Sequence, residues 1–316
     1  MTKPCPKITV AICTYERYDV LPRAIESVLA QTLAADHFRI LVVDNSPDHE
    51  RASAYGARFR ENPNLSYIVE KTPGLSNARN VSVRACETEF VSFMDDDAIA
   101  SPTFLEKVLK AFDALGDRTM IVGGRVNPIW GAARPPWIHD SMLGSLSVVN
   151  WGGNLRIAGA EEWFAGTNIS FRARAILDHG GFSMALGRVG SGASLMSNEE
   201  NELVARISAD GGKRVYAPEA CVDHLIEPGR LTRAWFRKRA AWQAVSDFVM
   251  EPNKHSADCS KRWRESLGYF NELPPHERTI RGFVFDTEDP NLFRRQMGAI
   301  YTMTMMSLAG FDGVAT

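Results

Sequence analysis

Over its first 125 residues the chain alternates short β-branched runs with helix-patterned segments, and this rhythm restricts the fold more than any other feature. It is the pattern of βαβ units, and it predicts a parallel sheet covered by helices on both faces. Residues 8–13 read as the first strand. Leu21, Ile25, Val28, Leu29 and Leu33 then recur at helical spacing, and 39–43 form a second buried strand ending at Asp44. Residues 65–69 are a third strand, 75–86 a helix, and 90–94 a fourth strand. Pro102 opens another helix where its missing N–H costs least, and 120–123 add a further strand.

Residues 127–153 change character, with prolines, glycines and the tryptophans Trp130, Trp137 and Trp151. Excursions of that length are functional or disordered. Strand and helix patterns resume at Trp163, with a strand through Phe171, a short helix, a glycine-rich loop over 180–192, a helix over about 198–210, and strands near Val215 and Val222. Beyond Leu231 the chain reads as helical over 231–250 and 291–308, separated by a polar, proline-containing stretch. The expected division is a domain over 1–226 and a helical extension over 227–316.

Composition is that of an ordinary globular protein, at 45% hydrophobic and 23% charged. The net charge of -2 gives no reason to expect a nucleic-acid partner, which calls for a strongly basic domain. The five cysteines are scattered and form no CxxC pair, so neither a disulfide framework nor a zinc site is suggested and a reducing cytoplasm fits. Residues 297–311, the longest apolar-looking stretch, fall short of the roughly 20 residues a membrane-spanning helix requires.

Asp95, Asp96 and Asp97 follow the fourth strand directly. Alternation along an extended chain sends Asp95 and Asp97 one way and Asp96 the other. Carboxylates this close repel, and a hard divalent cation removes the repulsion; a solvated turn or helix cap is the competing reading. Asp44 ends the second strand at the same sheet edge, and Thr14 and Glu16 follow the first, where they bind ligand or cap a turn. Arg79 lies in the opening turns of a helix, where an anion is favoured. Glu199, Glu200 and Glu202 crowd a helix start, as the helix dipole alone would favour. His224 ends a strand as a metal ligand or as a hydrogen-bonded core histidine.

The order of these segments carries a resemblance. The run 10–15 (VAICTY), Ser27 to Thr32, Val42-Val43-Asp44, Ala78-Arg79-Asn80, the aspartate triplet, 166–171 (GTNISF), Gly180-Gly181-Phe182, Glu199-Glu200 and His224 together resemble the family 2 glycosyltransferases, which have a GT-A fold and invert the transferred sugar's configuration. The match runs over roughly residues 7 to 226. It implies an α/β, Rossmann-like, mostly parallel sheet flanked by helices.

It further implies that Asp44 contacts a nucleobase and that Arg79 helps bind the nucleotide, with Thr14, Glu16, Asp96 and Asn168 also on the nucleotide-sugar side. Asp95 falls near the ribose and the metal shell, Asp97 on the metal, and Asp96 becomes the member most tolerant of change. His224 is a third ligand, and the cation is Mn2+ or Mg2+. Glu200 aligns with the catalytic base. The family's usual pair is Glu-Asp, so Glu199 stands as an alternative, and Glu16 replaces a frequent asparagine. The implied donor is a nucleoside-diphosphate sugar, UDP-sugar by default, and the acceptor a hydroxyl of a glycan, a lipid-linked glycan or a small molecule, as in polysaccharide biosynthesis.

Two other functions share this fold neighbourhood. A nucleotidyltransferase would carry a glycine-rich basic loop after the first strand, which Thr14-Tyr15-Glu16-Arg17 lacks. A non-catalytic carbohydrate-binding protein need not retain metal ligands and base together. Trp130, Trp137, Trp151 and Trp163 either stack on sugars or fill the core. Arg230, Arg233, Arg237, Lys238 and Arg239, interleaved with Trp235, Phe236 and Trp242, form a solvated helix packed through its aromatics or a peripheral contact with the membrane's inner face. Met303, Met305, Met306 and Leu308 suggest a packed terminal helix or a homodimer contact.

Overall fold

The computed structural model describes residues 5–190, 194–252, 259–279 and 284–309. The chain forms two compact units. The first comprises residues 1–129, 147–193 and 199–225, and the second residues 130–146, 194–198 and 226–316.

The first unit is built on one mixed sheet. Its strands are β1 (Ile8–Thr14), β2 (Phe38–Asp44), β3 (Leu65–Val69), β4 (Phe90–Asp95), β5 (Ala98–Ala100), β6 (Thr119–Trp130), β7 (Arg156–Ile157), β8 (Ile169–Arg172) and β9 (Lys213–Ile226). They lie in the order β3-β2-β1-β4-β8-β6-β9-β5, with β7 also on β9. Pairing is parallel from β3 through β4, as expected of βαβ units, and antiparallel at β4–β8, β8–β6 and β9–β5.

β1 and β2 are buried along almost their whole length. Strands covered on both faces read as unbroken apolar runs, which is why they were legible in the sequence. α1 (Leu21–Leu29) buries Leu21, Ala24, Ile25 and Val28, one stripe at helical spacing. α2 (His49–Gly56), α3 (Leu75–Ala85), α4 (Phe104–Ala114), α5 (Ala173–Asp178) and α6 (Glu199–Ala209) complete the unit. Phe90, Phe93, Phe112 and Phe171 anchor the core, each burial contributing roughly 2–3 kcal/mol.

Several expected elements differ in extent. The strands predicted near Val215 and Val222 are one strand, β9, because its outer residues alternate in burial and show no break. β6 runs on to Trp130, past the predicted start of the excursion. α4 begins at Phe104, leaving Pro102 in the preceding turn.

The second unit holds α7 (Arg233–Met250), α8 (Cys259–Glu272) and α9 (Pro290–Leu308). α8 falls in the stretch expected to be a polar connection. Trp137 is buried here, its ring 4.7 Å from Phe293 and 5.6 Å from Phe236. Trp151 belongs to the first unit and donates its indole N–H to the Trp163 carbonyl at 2.9 Å. Trp137 therefore fills core, whereas Trp151 is half-buried against the core of the first unit. Arg233 and Arg237 pair with Asp286, and Arg239 donates to the Leu195 carbonyl and Ser197. These arginines are engaged within their own unit, and Met305 packs with Ala244. Among the described residues no helix is long and apolar enough to cross a membrane.

Candidate active site

Strand register gathers the acids. β1 against β2 sets Thr14 beside Asp44, and β1 against β4 sets Cys13 beside Asp95. The chain turns after Asp95 into β5, whose antiparallel pairing puts Ala98 opposite His224, and the Leu225 N–H donates to the Asp97 carbonyl at 3.0 Å. The result is a cluster in which Asp95, Asp97 and His224 each offer a ligand atom within 4.8 Å of the others. His224 Nε2 lies 3.3 Å from Asp97 Oδ1, and both residues are buried.

Two carboxylate charges at that separation repel by roughly 3–4 kcal/mol at an effective dielectric near 20, more than a surface ion pair returns. Burial raises the Asp95 carboxyl above its ordinary range, and Asp97 adds to the shift. Two hard oxygens and one imidazole nitrogen suit a divalent cation of the Mg2+ or Mn2+ type, and the buried His224 Nδ1 has no hydrogen-bond partner among the described residues. The residues present therefore fit a cation.

Asp96 and Asp97 lie in the turn between β4 and β5, where strand alternation no longer applies, and Asp96 stands outside the ligand cluster without being idle. Its Oδ2 accepts from Thr14 Oγ1 at 2.7 Å, and Arg17 lies 3.6 Å from its Oδ1. Burial lifts its carboxyl to about 8 against the pull of Arg17. Thr14 is thereby committed to Asp96, which is buried between it and Arg17.

Arg79 is the hub of the other half. Its Nη1 lies 2.8 Å from Glu199 Oε1 and 2.9 Å from Glu200 Oε1, and its Nη2 lies 4.0 Å from Asp95 Oδ1. The guanidinium sits over the rings of Phe93 and Phe182, at 5.7 and 5.6 Å. A buried cation without partners would cost several kcal/mol, so three acids around it are what its burial demands. Burial raises the Glu199 carboxyl to about 7, with Glu200 adding and Arg79 opposing. Glu199 Oε2 is buried without a hydrogen-bond partner among the described residues, whereas the Glu200 side chain is 14% exposed. Of the two acids, Glu200 is the more exposed.

Other expected site residues are placed differently. Asp44 is 0% exposed. Its Oδ2 accepts from the hydroxyls of Tyr18 at 2.9 Å and Tyr67 at 2.6 Å, and its Oδ1 from the N–H and hydroxyl of Ser46. In this conformation its acceptors serve the protein. Asn168 is buried and gives its amide protons to the carbonyls of Arg125 and Ala220, tying β6 to β9. Glu16 is exposed, in a left-handed backbone conformation (φ 57°), with its N–H donating to Ser46 Oγ at 2.8 Å.

Sequence reasoning passed over Arg17, Tyr18, Tyr67 and Gly166 as site residues. Gly166 is bare for a reason, since a Cβ there would lie 1.7 Å from Glu200 Oε1 and 2.3 Å from Arg79 Nη2. Its place in the 166–171 motif was the available signal.

The profile of glycosyl transferase family 2 matches residues 9–178. The chain is 28% identical to the glucosyl-dolichyl phosphate glucuronosyltransferase of Haloferax volcanii, over 94% of this chain and 93% of that protein. Its fold is similar to that of the mannosyltransferase PcManGT from Pyrobaculum calidifontis in complex with GDP-Man and Mn2+ (TM-score 0.56, 17% identity, 98% of this chain and 76% of that one). It is also similar to S. aureus TarS 1-349 in complex with UDP (TM-score 0.55, 15% identity, 98% and 93% coverage). With a GT-A fold and a family profile spanning more than half its length, the chain belongs to glycosyl transferase family 2 and is a glycosyltransferase.

Proposed function

We propose that the protein transfers a sugar from a nucleoside-diphosphate sugar, UDP-sugar by preference, to an acceptor hydroxyl with inversion at the anomeric carbon. The observation that carries this reading is the continuity of the site. An Asp95–Asp97–His224 cluster fit for a divalent cation is joined through Arg79 to Glu199 and Glu200.

Asp95, Asp97 and His224 would hold Mn2+ or Mg2+, which supplies Lewis-acid neutralisation of charge on a departing diphosphate. Glu200 accepts the acceptor's proton as its oxygen forms the new bond to the anomeric carbon, and the nucleoside diphosphate leaves with the electron pair of the broken bond. Arg79 keeps Glu200 oriented through the 2.9 Å ion pair. Glu199, buried with a carboxyl raised to about 7, packs beneath that pair as a support. Asp44 supports the nucleotide side by fixing Tyr18, Tyr67 and Ser46.

On this reading the acceptor is a glycan, and the name of the Haloferax relative contains a lipid-linked sugar, glucosyl-dolichyl phosphate. The test is incubation of the full chain with a panel of nucleotide-sugars, with and without Mn2+. Metal-dependent release of nucleoside diphosphate is the expected result. Release of pyrophosphate would indicate nucleotidyl transfer, and failure to bind or turn over any donor would overturn the proposal.

A further inference from the structure

The Asp97 carboxylate has neighbours of two kinds. His224 Nε2 lies 3.3 Å from one oxygen, and Arg17 Nη2 lies 2.9 Å from the other. The same guanidinium reaches Asp96 Oδ1 at 3.6 Å, while Thr14 holds the opposite oxygen of Asp96. The Asp96 and Asp97 side chains are 7% and 4% exposed and that of Arg17 is 33%, so the arginine approaches this pair from the solvent side. The backbone just before it is fixed, because Glu16 is in the left-handed region and its N–H is held by Ser46. A tied turn thus delivers one long, partly exposed cation onto two buried acids, one of them in the cation cluster.

Resting on the reading that Asp97 is a cation ligand, we infer that Arg17 is the resident counter-cation of this site. Metal ion and guanidinium compete for the Asp97 carboxylate, and the guanidinium that the ion displaces becomes a donor to the phosphates of the nucleotide. Two cations on one carboxylate repel each other. A divalent ion carries twice the charge and approaches oxygen to about 2.0–2.6 Å, so it takes the carboxylate. Arg17 then swings on its flexible stem with Asp96 still beside it, and its planar fork suits a pair of phosphate oxygens. No bond is made or broken; one ion pair is exchanged for two. The metal-free site is thereby kept from holding unopposed buried carboxylates, and loading the cation readies a second phosphate contact.

The experiment measures Mn2+ affinity, and UDP and GDP affinity at saturating Mn2+, by titration calorimetry on the full chain and its Arg17→Gln, Arg17→Lys and Asp97→Asn variants. Arg17→Gln is expected to bind Mn2+ about tenfold tighter and the nucleotide about tenfold weaker, the scale of one hydrogen bond to a charged group. Arg17→Lys, which keeps the charge without the fork, falls between. Opposite signs from one substitution are the signature, because a fold defect would weaken both. Thermal melts give a second readout, in which Mn2+ raises the melting temperature of Arg17→Gln by more than that of the parent. Unchanged or weaker Mn2+ binding by Arg17→Gln, with Asp97→Asn defective, overturns the counter-cation role and leaves the metal reading standing. Unchanged nucleotide affinity overturns the phosphate half. A parent that binds no Mn2+, or an Asp97→Asn variant that binds it as tightly, overturns the metal reading and this inference with it.

Discussion

Arg79 and Glu200 meet only because residue 166 has no side chain. A Cβ there would lie 1.7 Å from Glu200 Oε1 and 2.3 Å from Arg79 Nη2, so Gly166→Ala must shift the carboxylate, the guanidinium or both and disturb their pairing. The expected outcome is transfer reduced by about 100-fold, the scale of a misplaced general base, with Mn2+ binding unchanged; full activity in the alanine variant would remove this contact from the mechanism. Glu200→Gln keeps the shape and removes the basicity. It should bind donor normally and transfer roughly 100-fold or more slowly in single-turnover assays. If Glu199→Gln showed that phenotype and Glu200→Gln did not, the base would be the buried neighbour. Asp95, Asp97 and His224 at strand ends and Glu200 at a helix start stood out in the sequence only as open candidates, which the order of the segments weighted, and the fold brings Asp95, Asp97 and His224 together. Arg17 and Gly166 did not stand out, since a partner 80 or 34 residues away leaves no local mark.

The elements that place these residues were legible to the degree that burial was uniform. β1, β2 and β4 are nearly continuous apolar runs and read correctly, whereas β9 alternates buried and half-buried positions and read as two pieces. α8 was missed because its apolar residues are outnumbered by polar ones, and three-residue β5 is too short to show periodicity. The start of α6 shows what an element boundary requires. Asn198, immediately before Glu199, is left-handed at φ 76°, donates its amide to Asp247 Oδ1 at 2.6 Å and accepts from Gln243 at 3.1 Å. Alanine there pays for backbone strain as well as the lost bonds, glycine for the bonds alone. Asn198→Ala should therefore be less stable than Asn198→Gly by about 1 kcal/mol in denaturant unfolding. Equal stabilities would mean that strain at this turn contributes nothing.

On the scale of the whole molecule, the site makes stability depend on pH against the usual trend. Surface carboxyls that pair with arginine or lysine, such as Glu162, Glu219 and Glu272, are held below their ordinary range, so the stability they add is complete by about pH 5. Asp96 and Glu199 run the other way, raised chiefly by burial to about 8 and about 7. The folded chain keeps their protons where the unfolded chain has already released them, so folding stability falls as pH rises from about 4 to about 8, by at most about 1.4 kcal/mol per pH unit for each proton. Metal-free protein in a chelator should accordingly melt at progressively lower temperature from pH 5 to pH 8. Glu199→Gln removes one of these contributions. Its melting temperature relative to the parent should climb between pH 5 and 7 and level off above, whatever constant offset the lost Arg79 pair imposes. Parallel melting curves for the two proteins across that window would show that Glu199 ionises normally in the fold, and would return the buried acid to candidacy as the base.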